Sequence, residues 1–289
     1  MSGAKETLPT ATLHVGTAAQ GRLRWALTDL TPLVEEARLL RDLSPLAAIG
    51  LGQLLSASVL LTRLISKEPL RLAIEVNGSG PLGRVRAEAD TQGRVRGLVE
   101  RRRAERGDEA ERGAPRLGEG SLRILRQLPS HNYDSRVSLV EGGVAQNIAH
   151  FLEQSEQIRS AVLLGVMARS TGVVAGGGLI VEALPGADSA LIRRIEERID
   201  KIPSVASLLE GEGAWGLLGS TLGEVEYKSS EQRQLILDCE CSPERFRLQI
   251  RALLRQDPTI LGDDEKTEVQ CQFCGAEYAF ATEELLPIQ

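Results

Sequence analysis

Two closely spaced pairs of cysteines near the C-terminus constrain this 289-residue chain more than any other feature. Cys239 and Cys241 form a C-x-C pair, Cys271 and Cys274 form a C-x-x-C pair, and the sequence contains no other cysteine. Four thiolates at ~2.3 Å from one ion make a closed tetrahedral Zn²⁺ site, and a short spacing lets one local turn supply two ligands. We therefore predict one Zn²⁺ per chain, held by these four cysteines.

The residues around the second pair predict a zinc knuckle. Val269 leads into the pair as a strand, and Gly275 after it can adopt the left-handed conformation that turns the chain. Tyr278 and Phe280 alternate along the returning segment, so both are expected on one face of a strand. The sequence thus predicts two short strands joined by the C-x-x-C turn.

The spacing of the first pair favours a redox-sensitive site over a permanent structural one, because structural zinc ribbons usually contain two C-x₂-C pairs. If the metal leaves, each pair can close on itself. A C-x-x-C disulfide is ordinary redox chemistry, whereas a C-x-C bridge is strained and easily reduced. Two other classes stay open. A constitutive zinc-ribbon adaptor would keep its fold and its binding under oxidation, and a thiol oxidoreductase using Cys271 and Cys274 would need one exposed, metal-free thiol.

Charge and the N-terminal residues bear on compartment and partners. A net charge of −6 and a pI of about 5.4 argue against nucleic acid as the main partner. The first residues lack a basic stretch followed by an apolar one, so no secretory signal is expected. Clustered cysteines without an export signal indicate metal or redox chemistry in a reducing compartment. We therefore expect a cytoplasmic protein with neither a nucleic-acid nor a membrane partner.

The hydrophobic pattern predicts an α+β fold in three parts. Residues 1–185 are expected to form a mixed core domain of β-sheets and packed helices, residues 186–238 a helical linker, and residues 239–289, which contain both cysteine pairs, a small zinc-binding domain. In the core, one strand is predicted between His14 and Leu27. Ser44 and Pro45 then start a long apolar helix that is shorter than the ~20 apolar residues a membrane span needs, so a buried helix is expected.

Two other patterns in the core resemble functional motifs. Gly78, Gly80 and Gly83 satisfy G-x-G-x-x-G, but the alternating residues that follow predict a strand where a dinucleotide site needs a helix, so a hairpin turn is expected. Ser130, His131 and Asp134 have the residue types of a hydrolase triad. They are crowded into one turn, whereas triad members come from separate parts of a fold. We predict that neither motif is catalytic.

The linker carries apolar stripes at helical spacing. Asp188 and Ser189 can cap a helix that ends before Pro203, and Ser204 can cap a second, short helix through Leu209. A glycine-rich link is predicted between Glu210 and Gly219. Because helices this short cannot bury their stripes alone, they must dock on the core, on the zinc unit or on another partner.

The segment from Cys239 to Phe280 resembles the redox-switch domain of the 33-kDa heat-shock family, the redox-regulated holdase chaperones. The resemblance extends over nearly the whole chain after residue 12. In the core it is carried by Asn132–Ser135, Val144–Ala149, Ser155–Gln157, Leu163–Val166 and Ala175–Ile180.

This resemblance implies an ATP-independent chaperone rather than an enzyme. In the reduced form Cys239, Cys241, Cys271 and Cys274 would bind Zn²⁺, and the protein would be inactive. Oxidation would release zinc, form the disulfides Cys239–Cys241 and Cys271–Cys274, and unfold the switch and the linker. The oxidised protein, as a homodimer, would then bind unfolded or aggregating client proteins.

Overall fold

The computed structural model describes residues 10–65, 68–105, 115–261 and 266–285. The chain divides into two compact units, Met1–Leu237 (unit 1) and Asp238–Gln289 (unit 2). The sequence predicts a loose tail at residues 1–12 and a solvated loop or short exposed helix at Glu100–Gly113. Residues 1–9 of the tail and residues 106–113 of the charged run lie outside the described residues. The α+β class predicted from the sequence is confirmed.

The strands of unit 1 are, in chain order, β1 (Thr12–Ala18), β2 (Leu23–Asp29), β3 (Arg71–Gly78), β4 (Arg84–Asp90), β5 (Arg94–Val99), β6 (Gly120–Gln127), β7 (Asn132–Ser138), β8 (Ser160–Arg169), β9 (Gly172–Ala183), β10 (Tyr227–Gln234) and β11 (Ile236–Leu237). Its helices are α1 (Thr31–Arg41), α2 (Pro45–Leu64), α3 (Val144–Gln154), α4 (Ser189–Ile199) and α5 (Val205–Leu222). Unit 2 contains α6 (Pro243–Gln256), β12 (Lys266–Gln270), β13 (Glu277–Ala281) and α7 (Thr282–Leu285), with a 3₁₀ turn at Pro258–Leu261.

Unit 1 is layered around α2. A five-stranded sheet has the order β10-β1-β2-β9-β8, and a six-stranded sheet has the order β11-β5-β4-β3-β6-β7. The α2 helix packs between the two sheets, and α4 and α5 cover the opposite face of the five-stranded sheet. The five-stranded sheet therefore has an apolar core on both of its faces.

The α2 helix is the buried helix that the sequence predicted. The Ser44 hydroxyl accepts a hydrogen bond from the Ala47 N–H, and Pro45 occupies the first turn. Contrary to the length expected from the sequence, the 20-residue helix is long and apolar enough to span a membrane, but 94% of its most apolar stretch is buried inside the protein. Its polar side chains Ser56, Ser58 and Thr62 bond to carbonyls of the preceding turn, which satisfies them within the core.

Three predictions about local structure are corrected. The single strand expected from His14 to Leu27 is the hairpin β1–β2, because the chain reverses at Gly21, where φ is +85°. The glycine-rich link expected after Glu210 is helical: α5 runs on to Leu222 with a kink at Gly213. The predicted helical linker also contains β10 and β11, which pair with β1 and β5.

The predicted glycine hairpin is confirmed, since β3 and β4 pair antiparallel on either side of Gly78–Gly83.

The sheet that contains this hairpin buries the carboxylate of Glu88, which is 5% exposed. Arg86 Nη2 and Arg96 Nε donate to Glu88 at 2.7 and 2.8 Å. Burial acts to raise the pKa of Glu88, but the two guanidinium groups outweigh it and hold the pKa below its ordinary value.

We expect Glu88→Gln to lower the free energy of unfolding at pH 7 by about 2 kcal/mol, because charge-assisted hydrogen bonds are lost. Since the folded-state pKa of Glu88 is lowered, its contribution is present above the unfolded pKa and is lost as pH falls through the folded pKa. Urea unfolding at pH 7 and at a pH below about 4 should therefore show a difference between variant and parent that shrinks in acid. Glu119→Gln, at an exposed carboxylate, is the control. A loss of unfolding free energy in Glu88→Gln that does not change with pH would contradict this account.

Candidate metal centre

Unit 2 brings the two cysteine pairs together through a helix and a hairpin. Ser242 caps α6, accepting from the Arg245 N–H, directly after the first pair. β12 and β13 pair antiparallel around the second pair, with Val269 opposite Tyr278. Gly275 has φ +80°, as predicted, and its N–H donates to the Cys271 carbonyl at 2.8 Å.

The core beneath this hairpin is small. Its buried hydrophobic cluster consists of Ile250, Leu254, Phe280 and Leu285, with Phe246, Val269 and Tyr278 packed against it. Leu253 of α6 is 50% exposed, because the cluster contacts only one side of the helix. Tyr278 and Phe280 share a strand face, as predicted, with Phe280 the more buried.

The four sulfur atoms form one cluster, all within 4.8 Å of one another. Cys239 Sγ lies 3.5 Å from Cys271 Sγ, and Cys241 Sγ lies 3.3 Å from Cys274 Sγ. All four are free thiols, with Cys271 buried and the others half-buried. An ideal tetrahedron with ~2.3 Å metal–sulfur bonds has sulfur–sulfur edges of about 3.8 Å. The cluster therefore fits one tetrahedral ion and could hold a metal.

The thiols differ in their proton affinity. Burial raises the pKa of Cys239 and of Cys274. Burial also acts to raise the pKa of Cys271, but backbone N–H donors at Cys274 and Phe273 and then the neighbouring thiols outweigh it, so the pKa is lowered to about 7. Of these three groups, Cys271 is the one most ready to carry a negative charge near neutral pH.

Sequence reasoning missed one residue at the cluster. The Tyr278 hydroxyl lies 3.2 Å from Cys241 Sγ, and its ring packs on Phe246 with centroids 5.1 Å apart. The hydrogen bond to Cys241 raises the pKa of Tyr278 to about 12. Strand alternation placed this side chain on the inner face, but nothing in the sequence linked its hydroxyl to Cys241. In the structure, the Tyr278 hydroxyl is therefore positioned to hydrogen-bond to the sulfur of Cys241, one of the predicted metal ligands.

We expect Tyr278→Phe to weaken metal binding about 10- to 100-fold, since a hydroxyl that donates to a ligating sulfur orients and stabilises it. The phenyl ring keeps the contact with Phe246, so the fold of unit 2 should be retained. Competition between the reduced protein and a chromogenic zinc chelator measures the affinity. Tyr133→Phe, on β7 in unit 1, is the matched control. Equal affinities for parent and Tyr278→Phe would show that the hydroxyl has no supporting role.

The triad-like residues of unit 1 do not assemble. Ser130 Oγ lies 2.6 Å from His131 Nδ1, but the Asp134 carboxylate accepts from Arg123 Nε at 2.8 Å. His131 instead stacks edge-on against Tyr133, with ring centroids 4.5 Å apart. The group therefore lacks the orienting carboxylate that a nucleophilic triad requires.

Comparison with known proteins finds a matching family, similar sequences and a similar solved structure. A family model described as Hsp33 protein matches residues 11–281. A 33 kDa chaperonin of Thermus thermophilus is 38% identical over 286 residues, covering 93% of this chain and 84% of the relative. A 33 kDa chaperonin of a Synechococcus species is 35% identical over 295 residues, covering 99% and 92%. The crystal structure of the 33 kDa chaperonin (heat shock protein 33 homolog) from Thermotoga maritima matches with a TM-score of 0.85 at 29% identity, covering 96% of this chain and 97% of that one.

The layered core and the four-cysteine unit define a two-unit α+β protein whose small C-terminal unit could hold a metal ion. The matches extend along nearly the whole length of both this chain and its relatives. This chain belongs to the Hsp33 family of chaperones.

Proposed function

We propose that this protein is a redox-regulated, ATP-independent holdase that is inactive when reduced and zinc-bound. The observation that carries the proposal is the convergence of all four cysteines of the chain on one cluster in a unit with a small core. The proposed ligands are Cys239, Cys241, Cys271 and Cys274, with one Zn²⁺ per chain. The protein would act in the cytoplasm on unfolding or aggregating clients and would not be an enzyme.

Zinc in this cluster would supply folding free energy on the order of 10 kcal/mol and keep the thiolates in place. The burial of apolar side chains contributes only modestly to the stability of unit 2, because a unit of this size buries too little apolar surface to be stable alone. Four buried hydrophobic side chains make up the core of the described part of unit 2. We infer that loss of the metal-binding thiolates unfolds this unit.

Oxidation removes those thiolates. In each pair, two thiols lose two protons and two electrons to one molecule of hydrogen peroxide, which becomes two molecules of water, and one S–S bond forms. The proposed bridges are Cys239–Cys241 and Cys271–Cys274. Each closes a loop of only a few residues, so it restrains the unfolded chain much less than a bridge between the pairs would. Because all four sulfurs lie within 4.8 Å, peptide mapping of the oxidised protein is needed to test this pairing.

The segment before unit 2 supplies the apolar surface that unfolding would release. Leu191 and Ile195 of α4 and Leu209, Leu217 and Leu218 of α5 are buried against the five-stranded sheet. The chain passes from β11 directly into unit 2. We propose that α4 and α5 loosen when unit 2 melts and expose this apolar face to clients, and that the oxidised protein is a homodimer.

The proposal is tested on zinc-loaded, reduced protein treated with peroxide or hypochlorous acid. Zinc release to a chromogenic chelator and suppression of light scattering by a heat-unfolded test protein are followed together. The proposal expects both to rise together and reductant to reverse both. Zinc release without holdase activity would instead favour a zinc-ribbon adaptor, and turnover of a disulfide substrate would favour an oxidoreductase.

A further inference from the structure

A cleft in unit 1 lies at the outer edge of the five-stranded sheet. It has a volume of about 610 Å³ and is bordered by α3 on one side and α4 on the other. The beginning of β8 runs through it, and β8 is the last strand of its sheet. Its volume is typical of a site that holds a small molecule or a few residues of a peptide.

The outer edge of β8 carries backbone groups that no strand of the described chain pairs with, and Ser160 on this edge lines the cleft. The Ala183 N–H donates to the Arg159 carbonyl at 2.9 Å, so Arg159 and every second residue after it face β9. The N–H and C=O groups of Ser160 and Val162 therefore point away from β9. In the described part of the chain no further strand pairs with this edge. An exposed strand edge is a template for pairing with another extended chain.

The floor of the cleft is apolar. Val181 of β9 and Ile195 of α4 are almost fully buried, whereas Ala161, Ile192 and Ile199 are partly buried and line the same space. The hydroxyl of Ser160 is buried without a hydrogen-bond partner among the described residues. This surface suits an occupant with small or branched apolar side chains and a polar backbone.

The rim of the cleft is acidic. Glu153 of α3 and Glu196 and Asp200 of α4 are exposed at its border. None of these carboxylates forms an ion pair with a residue that the structure describes, while Arg159 and His150 are the basic side chains in the lining. The excess of negative charge selects lysine- or arginine-bearing occupants.

We propose that this cleft binds an extended polypeptide segment in which apolar residues alternate with lysine or arginine. The segment adds as a strand to the edge of β8, its apolar side chains enter the floor, and its basic side chains meet the acidic rim. Since α4 forms one wall, the site exists while α4 is docked. It is therefore a binding site of the reduced protein, separate from the apolar face proposed to be released by oxidation.

The test uses the full-length, zinc-loaded, reduced protein and a fluorescent eight-residue peptide that alternates valine and lysine. Fluorescence anisotropy should show saturable binding that weakens with salt. The double variant Glu196→Lys/Asp200→Lys should weaken binding about tenfold. Glu197→Lys is the matched control, because Glu197 is exposed on α4 but lies outside the cleft. A peptide with glutamate in place of lysine should not bind.

Strand addition has its own readout. Hydrogen exchange at the amides of Ser160 and Val162 should slow on peptide binding. N-methylation of every second peptide amide should abolish binding when the methylated amides are those that face β8. Methylation of the other, alternate amides should leave binding intact. Equal binding of the glutamate peptide, an equal effect of Glu197→Lys, or unchanged exchange at β8 would overturn the proposal. A holdase that fails to activate on oxidation would leave these results unaffected, so the two proposals fail separately.

Discussion

Chelation of zinc from the reduced protein is expected to unfold unit 2 and leave the two sheets of unit 1 folded. Unit 2 relies on a small buried cluster, whereas the core around α2 draws side chains from both sheets and from α1, α2 and α3. A metal contribution on the order of 10 kcal/mol is comparable with the whole stability of a typical domain. Without it, the fold of unit 2 has no comparable source of stability.

Hydrogen exchange with mass spectrometry measures this outcome on the full chain. Peptides from α6, β12 and β13 should lose protection on chelation, and peptides from α2 and β9 should keep it. Cys271→Ser should give the same pattern without chelator, because it removes a buried sulfur from the cluster. Gln272→Ser, at the exposed neighbouring position, should leave protection unchanged. If unit 2 keeps its protection from exchange after complete zinc removal, its small apolar core is sufficient to keep it folded without the metal.

The parts of the structure that could be predicted from sequence are those in which local chemistry and tertiary packing agree. Ser44, Asp188, Ser204 and Ser242 each cap the helix that follows, because a side-chain oxygen there satisfies a free N–H. The cysteine cluster was predictable because two short cysteine spacings in one small region are typical of residues that share a metal ion. The glycine hairpin was predictable because the strand that follows it shows clear alternation.

The second half of α5 was not predictable, because tertiary packing overrides its local preference. Glycine disfavours a helix interior by about 1 kcal/mol relative to alanine, and the stretch after Glu210 contains several. The helix nevertheless continues because Leu217 and Leu218, both 0% exposed, pack on the five-stranded sheet. β10 was missed for a related reason: its polar residues show no strand pattern, and its pairing with β1 is more than 200 residues away in sequence.

Within the candidate site, the four cysteines could be predicted from the sequence, but the hydrogen bonds that surround them could not. Cys271 was identified by spacing alone, whereas the backbone donors that lower its pKa follow from the turn in three dimensions. The hydroxyl of Tyr278 reaches Cys241 only because β13 returns beside the first pair. Such contacts depend on side-chain direction and on long-range pairing, which a single sequence does not specify.

Leu218→Asp is expected to detach α5 from the five-stranded sheet in the reduced protein. Leu218 is fully buried, and an aspartate there would place a carboxylate among apolar side chains such as Trp25, Leu27 and Leu217. Burying an unpaired charge costs several kcal/mol, so exposing α5 to water becomes the more favourable state. Under the proposed function, this variant should suppress client aggregation without oxidation and without releasing zinc.

The two tryptophans of the chain report this change directly. Trp25 is 0% exposed under α5, and its ring centroid lies 6.1 Å from that of Trp215 on the helix. Detachment should shift Trp25 emission to longer wavelength and increase its quenching by acrylamide. Gly219→Asp is the matched control, since a side chain at this exposed neighbouring position meets open space. If Trp25 becomes exposed while clients still aggregate, the apolar face beneath α5 is not the client-binding surface. If aggregation is suppressed while Trp25 stays shielded, activation does not require α5 to leave the sheet.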